Sequence, residues 1–395
     1  MKFRTSLLAL GVLLAPWAWA DDLPPVPTLV LIELAGGLDG LDAVPLIDPA
    51  YAKARPTLAV PADQLIRLND QVALHPAFRP LMDSWAAGDF AIVQGVGYPD
   101  PNFSHFRSIA IWESGSASDE VLETGWVTRL FGAGVRWPEV LSDGLVLGET
   151  HPGPLKGPGM RVLSFDNLDA FLRDAGTVDD SDATQGAAGA IARVQRDVQA
   201  ASQVLVAIKP RVRDPAAPFP ETGLGRSMKL AFQLLAAGTR IPVIKLTLRG
   251  FDNHTNERAE MDRLLKELSG AVAAFRANAL LAGLWDRVAV VTYSEFGRRV
   301  EENGSGGTDH GSAAPLFVWG GRVKGGLLGS APSLTDLDHG NLKATIDFRT
   351  VFRSVVTEFW GVTDPGALSA AFPQTPGTID LIAPATQTSG TRPSG

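Results

Sequence analysis

The sequence predicts a doubly wound α/β fold, in which helices cover both faces of a mostly parallel sheet. The first observation is a set of short apolar runs rich in β-branched residues, which is typical of strands buried on both faces. These runs are Thr28–Leu34, Asp89–Val96, Pro242–Leu248, Val288–Thr292 and Ala314–Trp319. The second observation is that polar, glycine-containing segments and then helical patterns follow most of these runs. This alternation favours a parallel sheet with right-handed crossovers.

The other elements follow from helical periodicity and from the positions of turn residues. Val140–Gly148 has the pattern of one more strand. Residues 301–307 are rich in glycine and charge, so they are predicted to be irregular. Helices are predicted from about Ser104 and over His75–Ala87, Gly125–Phe131, Ala187–Lys209, Gly225–Ala237, Glu257–Ala282 and Thr350–Trp360.

The first twenty residues have the composition of a secretory signal peptide. Lys2 and Arg4 precede the apolar run Leu7–Trp19, and Ala18-Trp19-Ala20 supplies a small-x-small cleavage site. Because the segment lacks an Arg-Arg pair, we expect export by a Sec-type pathway and a mature protein, beginning near Asp21, that is periplasmic or secreted. Later stretches do not reach the ~20 apolar residues that a membrane-spanning helix needs, so a transmembrane segment is not expected.

Composition excludes several functional classes. The chain has no cysteine, which rules out disulfides, Cys-ligated metal centres and a thiol nucleophile. The net charge of −8 and the lack of a basic run argue against a nucleic-acid partner. We expect a single domain over residues 21–382, with a partly helical insertion near 150–223, and a disordered polar tail over 383–395. The oligomeric state stays open.

Acidic residues, histidines and one serine follow several of the predicted strands. They are Asp39, Ser104, His105, Asp252, His254, Glu295, Asp309 and His310. In parallel α/β sheets, ligands bind outside the carboxyl ends of the strands, so we expect these side chains to gather at one edge. Carboxylate oxygens and imidazoles together suit a divalent ion such as Zn, Mn, Ca or Mg.

Each of these residues also has a structural interpretation. Asp39 and Ser104 are preferred helix N-caps, and Glu295 fits a turn or cap. Alternatively, a serine at the start of a helix meets the positive end of the helix dipole, where a tetrahedral anion binds. Its hydroxyl becomes a nucleophile when a metal lowers its pKa. His105 fits a ligand, a base or a packed ring.

The motifs GGLDGL, PNFSHF, GFDNH and EFGR…GGTDHG resemble a secreted bacterial family catalogued as domain of unknown function 1501, over roughly residues 27–365. That family is grouped with the alkaline phosphatase-like superfamily, alongside sulfatases and cofactor-independent phosphoglycerate mutases. The resemblance implies a three-layer α/β sandwich with one or two metals at the carboxyl edge of the sheet. By position, it implies metal ligands at Asp39, Asp252, His254, Glu295 and His310, and a nucleophile at Ser104. Phe296 stands where a two-metal enzyme has histidine, so the resemblance leaves one metal site intact and the second in doubt.

The leading hypothesis is an exported metal-dependent hydrolase of phosphate or sulfate esters, carried by a small molecule or a polymer. A metal held by Asp39 and Glu295 would activate Ser104. Arg107 or Arg298 would then bind the non-bridging oxygens of the ester. The alternative is a binding or assembly protein that keeps the fold and a metal but performs no turnover. The missing histidine favours this alternative, whereas the retained serine and acids favour the hydrolase.

Overall fold

The computed structural model describes residues 25–176, 185–373 and 377–384. The predicted signal peptide and residues 385–395 of the predicted tail lie outside the described residues. Ala383, at the start of that tail, is hydrogen-bonded to Arg322 through both its N–H and its carbonyl group. In the described part of the chain, no helix is both long enough and apolar enough to cross a membrane.

Fifteen strands form in the described residues, and the longest of them coincide with the apolar runs. The strands are β1 (Thr28–Ala35), β2 (Ile66–Arg67), β3 (Ala73–Leu74), β4 (Phe90–Gly97), β5 (Gly144–Leu147), β6 (Val162–Phe165), β7 (Val243–Arg249), β8 (Val288–Tyr293), β9 (Gly297–Glu302), β10 (Thr308–Gly311), β11 (Ala314–Trp319), β12 (Gly326–Leu328), β13 (Leu337–Asp338), β14 (Asn341–Leu342) and β15 (Ile346–Asp347).

Most of the helices connect strands of the central sheet. They are α1 (Gly40–Ala43), α2 (Pro49–Ala54), α3 (Met82–Ala87), α4 (His105–Ser114), α5 (Trp126–Gly132), α6 (Leu168–Ala175), α7 (Gly186–Ile208), α8 (Gly223–Ala236), α9 (Glu257–Leu281), α10 (Phe348–Ser354) and α11 (Pro365–Ala371). Short 3₁₀ turns cover Pro76–Leu81, Gly153–Leu155, Lys209–Arg211 and Trp285–Arg287, and a π-helical turn covers Val355–Phe359.

The central sheet has the strand order β12-β4-β11-β8-β1-β7-β5-β6 in the described residues, with β15 also paired to β4. Strand β11 runs antiparallel to β4 and β8, and the other pairs in this sheet are parallel. Alternate residues of β1 point to opposite faces. Val30, Ile32 and Leu34 join a core with α8 and α9, whereas Leu29 and Leu31 join a core with α4, α5 and α10. The prediction of a three-layer α/β fold with a mostly parallel sheet is therefore confirmed.

Two local differences from the sequence prediction have physical causes. The predicted helix His75–Ala87 begins as a 3₁₀ turn, since Pro76 and Pro80 lack the N–H groups of regular α-helical bonds. The sequence does not predict strand β9, because the segment GRRVEE is short and highly charged and lacks the apolar run of a buried strand. It forms a hairpin with β10, and the irregular part of the chain is limited to the connection between them. The segment 150–223 contributes the edge strand β6 together with α6 and α7.

Candidate active site

The sheet topology brings the polar strand ends to one edge. Strand β1 lies between β7 and β8, and Glu33 of β1 is in register with both Thr247 and Tyr293. The loops after these three strands therefore open side by side. Since β11 is antiparallel to both β8 and β4, the carboxyl end of β4 and the hairpin before β11 reach the same edge.

Two glycines after β1 allow the loops at this edge to pack closely. Gly36 has φ +124°, and a Cβ atom there would lie 2.3 Å from the backbone nitrogen of Asp252. Gly37 has φ +89°, and its Cβ would lie 2.5 Å from the ring of Phe296. L-residues rarely adopt such φ values, so glycine is needed for both the conformation and the contact.

Three imidazoles surround the carboxylate of Asp252. The Nε2 atoms of His254 and His310 lie 3.0 and 3.2 Å from Asp252 Oδ1, and Nε2 of His105 lies 3.3 Å from Oδ2. The two Nε2 atoms of His254 and His310 are 3.2 Å apart. The structure thus brings together Asp252, His254, His310 and His105, all of which the sequence analysis expects at this edge. We call these four residues the Asp252 cluster.

Each imidazole of the cluster has an oxygen next to its other ring nitrogen. The Nδ1 contacts are His105 with Glu295 Oε1 (2.9 Å), His254 with Asp309 Oδ1 (3.5 Å) and His310 with the carbonyl oxygen of Phe103 (2.8 Å). An oxygen at Nδ1 favours the tautomer that carries its proton there and leaves Nε2 as an acceptor or metal ligand. In that tautomer the Nε2 lone pairs face a carboxylate, which is also an acceptor, so a cation between them would bind to both.

Arg298 fixes the charge state of Asp252. Burial alone would raise the pKa of Asp252, but the hydrogen bond and charge of Arg298, with contributions from His310 and His105, outweigh burial and lower it to about 2. The Arg298 guanidinium lies 2.8 Å from Asp252 Oδ1. Asp252 is therefore an anion at neutral pH.

The donor set fits a divalent ion. Ligand atoms of His105, Asp252 and His310 all lie within 4.8 Å of one another. Two imidazole nitrogens and a carboxylate oxygen suit zinc and similar ions, and the oxygens at the distal ring nitrogens orient such ligands. His254 and Asp309 extend the set on one side.

Glu295 lies beneath this cluster. It is buried, and its Oε1 accepts a hydrogen bond from the N–H of Gly36 (2.8 Å) in addition to its contact with His105. The carbonyl oxygen of Glu295 accepts a bond from Ser108 on α4. These contacts position Glu295 to orient His105.

Ser104 is exposed at the N-cap position of α4, and its side chain makes no capping hydrogen bond. Its backbone N–H donates to Asn102 Oδ1 (2.9 Å). The carbonyl oxygen of Phe103 contacts His310, and His105 belongs to the Asp252 cluster. Ser104, between them in the chain, therefore lies at the rim of the cluster. The cap interpretation from the sequence therefore lacks its defining hydrogen bond.

Asp39 lies outside the Asp252 cluster. It is buried, it caps α1 by accepting from the N–H of Leu41 (3.1 Å), and it pairs with the buried guanidinium of Arg55. Burial alone would raise the pKa of Asp39, but the charge and hydrogen bond of Arg55 outweigh burial and lower it. The cap and the ion pair give Asp39 a structural role.

The two arginines predicted to bind an anion are engaged elsewhere. Arg107 donates to the backbone carbonyls of Ala117 (3.2 Å), Ser118 (3.0 Å) and Glu120. Arg298 is buried and donates to the carbonyl oxygens of Gly36, Gly37, Phe251 and Thr308, as well as to Asp252. Both guanidinium groups therefore hold loops in place.

Sequence reasoning missed a second buried charge network on the neighbouring strands. The fully buried Lys245 of β7 lies 2.8 Å from Glu33 Oε2 and also binds Glu149. Arg249 lies 2.6 Å from the other oxygen of Glu149. A lysine within an apolar run was the available indication, because a buried lysine needs paired carboxylates.

Comparison with known proteins identifies a family. A family model described as "Protein of unknown function (DUF1501)" matches residues 60–347. This matched region is shorter than residues 27–365, the range over which the motifs resemble that family. The sequence matches none of the curated proteins.

Three solved structures show a distant likeness to this chain. The C-terminal periplasmic domain of EptC from Escherichia coli, in complex with zinc, has 10% identity and a TM-score of 0.38, over 76% of this chain and 74% of that chain. A phosphonate monoester hydrolase from Silicibacter pomeroyi has 13% identity and a TM-score of 0.39, over 88% and 77%. The lipoteichoic acid synthase LtaP from Listeria monocytogenes has 8% identity and a TM-score of 0.36, over 86% and 73%.

Proposed function

The chain belongs to the DUF1501 family, and we propose that it is an exported, metal-dependent hydrolase of phosphate or sulfate esters. The observation that carries the proposal is the convergence of three Nε2 atoms on the carboxylate of Asp252, with an oxygen at each Nδ1. A resident divalent ion would supply a cation for the three Nε2 atoms and the carboxylate together, in addition to the Arg298 guanidinium at Oδ1. Its ligands in this proposal are His105, Asp252 and His310, with His254 and Asp309 beside them.

Ser104 is the proposed nucleophile. Its hydroxyl is exposed at the rim of the cluster, and it precedes α4, whose free N–H groups in the first turn favour a bound anion. A divalent ion held by the cluster would neutralise the charge of the ester and lower the pKa of a nearby hydroxyl. Glu295 orients His105, and Arg298 keeps Asp252 ionised. Arg107 and Arg298 both bind backbone carbonyls, so in this proposal the helix N-terminus and the ion would bind the non-bridging oxygens of the ester.

Phe296 favours a single ion and is the main support for the alternative, a metal-binding protein without turnover. Its buried ring packs against the imidazoles of His105 (centroids 4.9 Å apart) and His310 (4.6 Å). An apolar ring at this position supplies no ligand for a second ion. The two candidates differ in one measurable respect, because only the hydrolase needs Ser104.

Metal content tests the site. Protein purified without chelator should contain up to one equivalent of Zn, Mn, Ca or Mg, measured by elemental analysis. Asp252→Asn and His310→Ala should each lower this content at least tenfold, whereas His339→Ala, on a side chain 95% exposed, should leave it unchanged. Equal metal content in all four proteins would reject the site.

Turnover tests the assignment of Ser104. Ser104→Ala should retain its metal and its stability within about 1 kcal/mol, the size of an N-cap effect, while losing at least 100-fold in ester hydrolysis. Ser305→Ala, on an exposed loop serine, is the matched control. If Ser104→Ala is fully active, the nucleophile is a different group. If the wild type cleaves no phosphate, sulfate or phosphonate ester with any of the four metals, the non-catalytic alternative is correct.

A further inference from the structure

The hairpin of β9 and β10 rests on a buried arginine. Arg55 follows α2 and is fully buried. Its Nε donates to the carbonyl oxygen of Val300 (2.9 Å), and its Nη2 donates to the carbonyl oxygen of Arg299 (2.8 Å). Its remaining nitrogen, Nη1, pairs with Asp39 Oδ2. Each nitrogen of the guanidinium therefore has a partner, and two of the three partners belong to β9.

A second contact supports the other strand of the hairpin. The hydroxyl of the buried Thr308, on β10, donates to Glu257 Oε1 (2.9 Å) at the start of α9. A hydrogen bond joins the carboxyl groups of Glu257 and Asp39. Asp39 is thus connected to β9 through Arg55 and to β10 through Glu257. We call Asp39, Arg55, Glu257 and Thr308 the Asp39 network.

The network reaches the proposed metal ligands through Thr308. The N–H of Thr308 donates to the carbonyl oxygen of Asn253 (3.1 Å), which has a member of the Asp252 cluster on either side of it in the loop after β7. The two residues that follow Thr308 in β10 are Asp309 and His310. The ligands of the loop and those of the hairpin therefore meet at Thr308, and a shift of the hairpin would change the distances between them.

We propose that Arg55 and Asp39 are positioning residues, which set the metal affinity of the Asp252 cluster by fixing the hairpin against the loop after β7. This inference rests on the proposed function, because it requires a divalent ion at the cluster. An ion pair this deeply buried adds little net stability, since the cost of removing both charges from water offsets their attraction. The directional N–H bonds of a guanidinium instead select one position of the carbonyls that they bind.

The double substitution Asp39→Asn with Arg55→Met tests this role. It removes both charges together, so neither is left buried without its partner, and asparagine still caps α1. The two hydrogen bonds to β9 are lost. The Kd for Zn²⁺, measured by titration of the full chain against a competing chelator, should rise about tenfold or more, the size of effect seen when ligands lose their supporting groups. Amide hydrogen exchange in residues 297–311 should become faster.

The matched control is Asp89→Asn with Arg276→Met. Arg276 and Asp89 form another largely buried ion pair (2.7 Å), and Asp89 precedes β4, at the edge of the sheet opposite the Asp252 cluster. Removing a pair of the same kind at a distant site should leave the Kd for Zn²⁺ within about twofold of the wild type and the exchange of the hairpin unchanged.

The outcomes separate this inference from the proposed function. Equal Kd values for the wild type and Asp39→Asn/Arg55→Met overturn the inference and leave the metal site in place, as does a control that weakens binding equally. If the double variant does not fold, Thr308→Val removes one hydroxyl from the network and should raise the Kd about threefold, so an unchanged Kd overturns the inference. A wild type that binds none of Zn, Mn, Ca or Mg overturns both the site and the inference. The expected change in Kd without hydrolysis of any ester supports the inference and overturns the hydrolase alone.

Discussion

Glu257, the first residue of α9, gives a pH-dependent prediction that follows from its burial. It is 2% exposed, and its Oε1 accepts a hydrogen bond from the Thr308 hydroxyl (2.9 Å) on the hairpin. Burial, followed by the charge of Asp39 and the hydrogen bond to it, raises the pKa of Glu257 from its ordinary value of 4.5 to about 9. Glu257 is therefore protonated in the folded protein at neutral pH, and it donates to Asp39.

The sign of the effect on stability follows from proton linkage. Because the folded protein holds this proton more tightly than the unfolded chain, the contribution of Glu257 is complete below pH ~4.5. It decreases as the pH rises toward about 9. One such group changes the free energy of unfolding by at most ~1.4 kcal/mol per pH unit, or about 4 kcal/mol between pH 5 and pH 8. Asp39 has a lowered pKa, so its own contribution is lost only at acidic pH.

The substitution Glu257→Gln isolates this contribution. Glutamine keeps an acceptor for Thr308 and a donor for Asp39, but it has no proton to lose. Urea unfolding at pH 5, 6, 7 and 8 should show similar stability for both proteins at pH 5 and a variant that is more stable by about 4 kcal/mol at pH 8.

Glu260→Gln is the matched control for this measurement. Glu260 lies in the same helical turn, its side chain is 40% exposed, and it pairs with Arg263. Its substitution should leave the pH profile of the wild type unchanged. If the stability curves of Glu257→Gln and wild type run parallel from pH 5 to pH 8, the carboxyl group is not protonated in the fold and the reasoning is refuted.

Two other buried groups give sharp expectations. Arg298→Met removes the donor to four backbone carbonyls and to Asp252, so it should reduce the free energy of unfolding by about 3 kcal/mol or more and also lower the bound metal. Unchanged metal content in the folded variant would contradict this role. Lys245→Met leaves Glu33 and Glu149 without their shared cation and should cost about 3–5 kcal/mol in urea unfolding. Adding Glu149→Gln should recover part of that loss, and a double variant no more stable than the single one would contradict the pairing.

The sequence predicts the sheet and its polar edge because both depend on local patterns. The β-branched runs of β1, β7 and β8 predict buried strands. Parallel strands place their carboxyl ends at the same edge of the sheet. Asp252, His254 and His310 meet for that reason. The hairpin strand β9 is less predictable, since its sequence is highly charged and its pairing with β10 depends on contacts made by the folded chain.

The roles of the charged residues depend on partners that the sequence does not reveal. The local sequence of Asp39 favours a cap but also fits a metal ligand, and its deciding partner Arg55 comes from the end of α2. The partners of Arg107 and Arg298 are mostly backbone carbonyls, which have no signature in the sequence. His105 acquires its role from Glu295, which lies 190 positions away along the chain.

The number of ions at the proposed metal site depends on two residues, Phe296 and Gly37, that are not proposed as ligands. The ring of Phe296 occupies the space beside Gly37, where a Cβ atom would lie only 2.5 Å from it, and the same ring packs on His105 and His310. A histidine in place of Phe296 is smaller and polar, so it would leave part of this buried space unfilled. Our proposal of one ion at the Asp252 cluster follows from this close packing of Gly37 and Phe296, and we expect that introducing a ligand at position 296 alone would not create a second site.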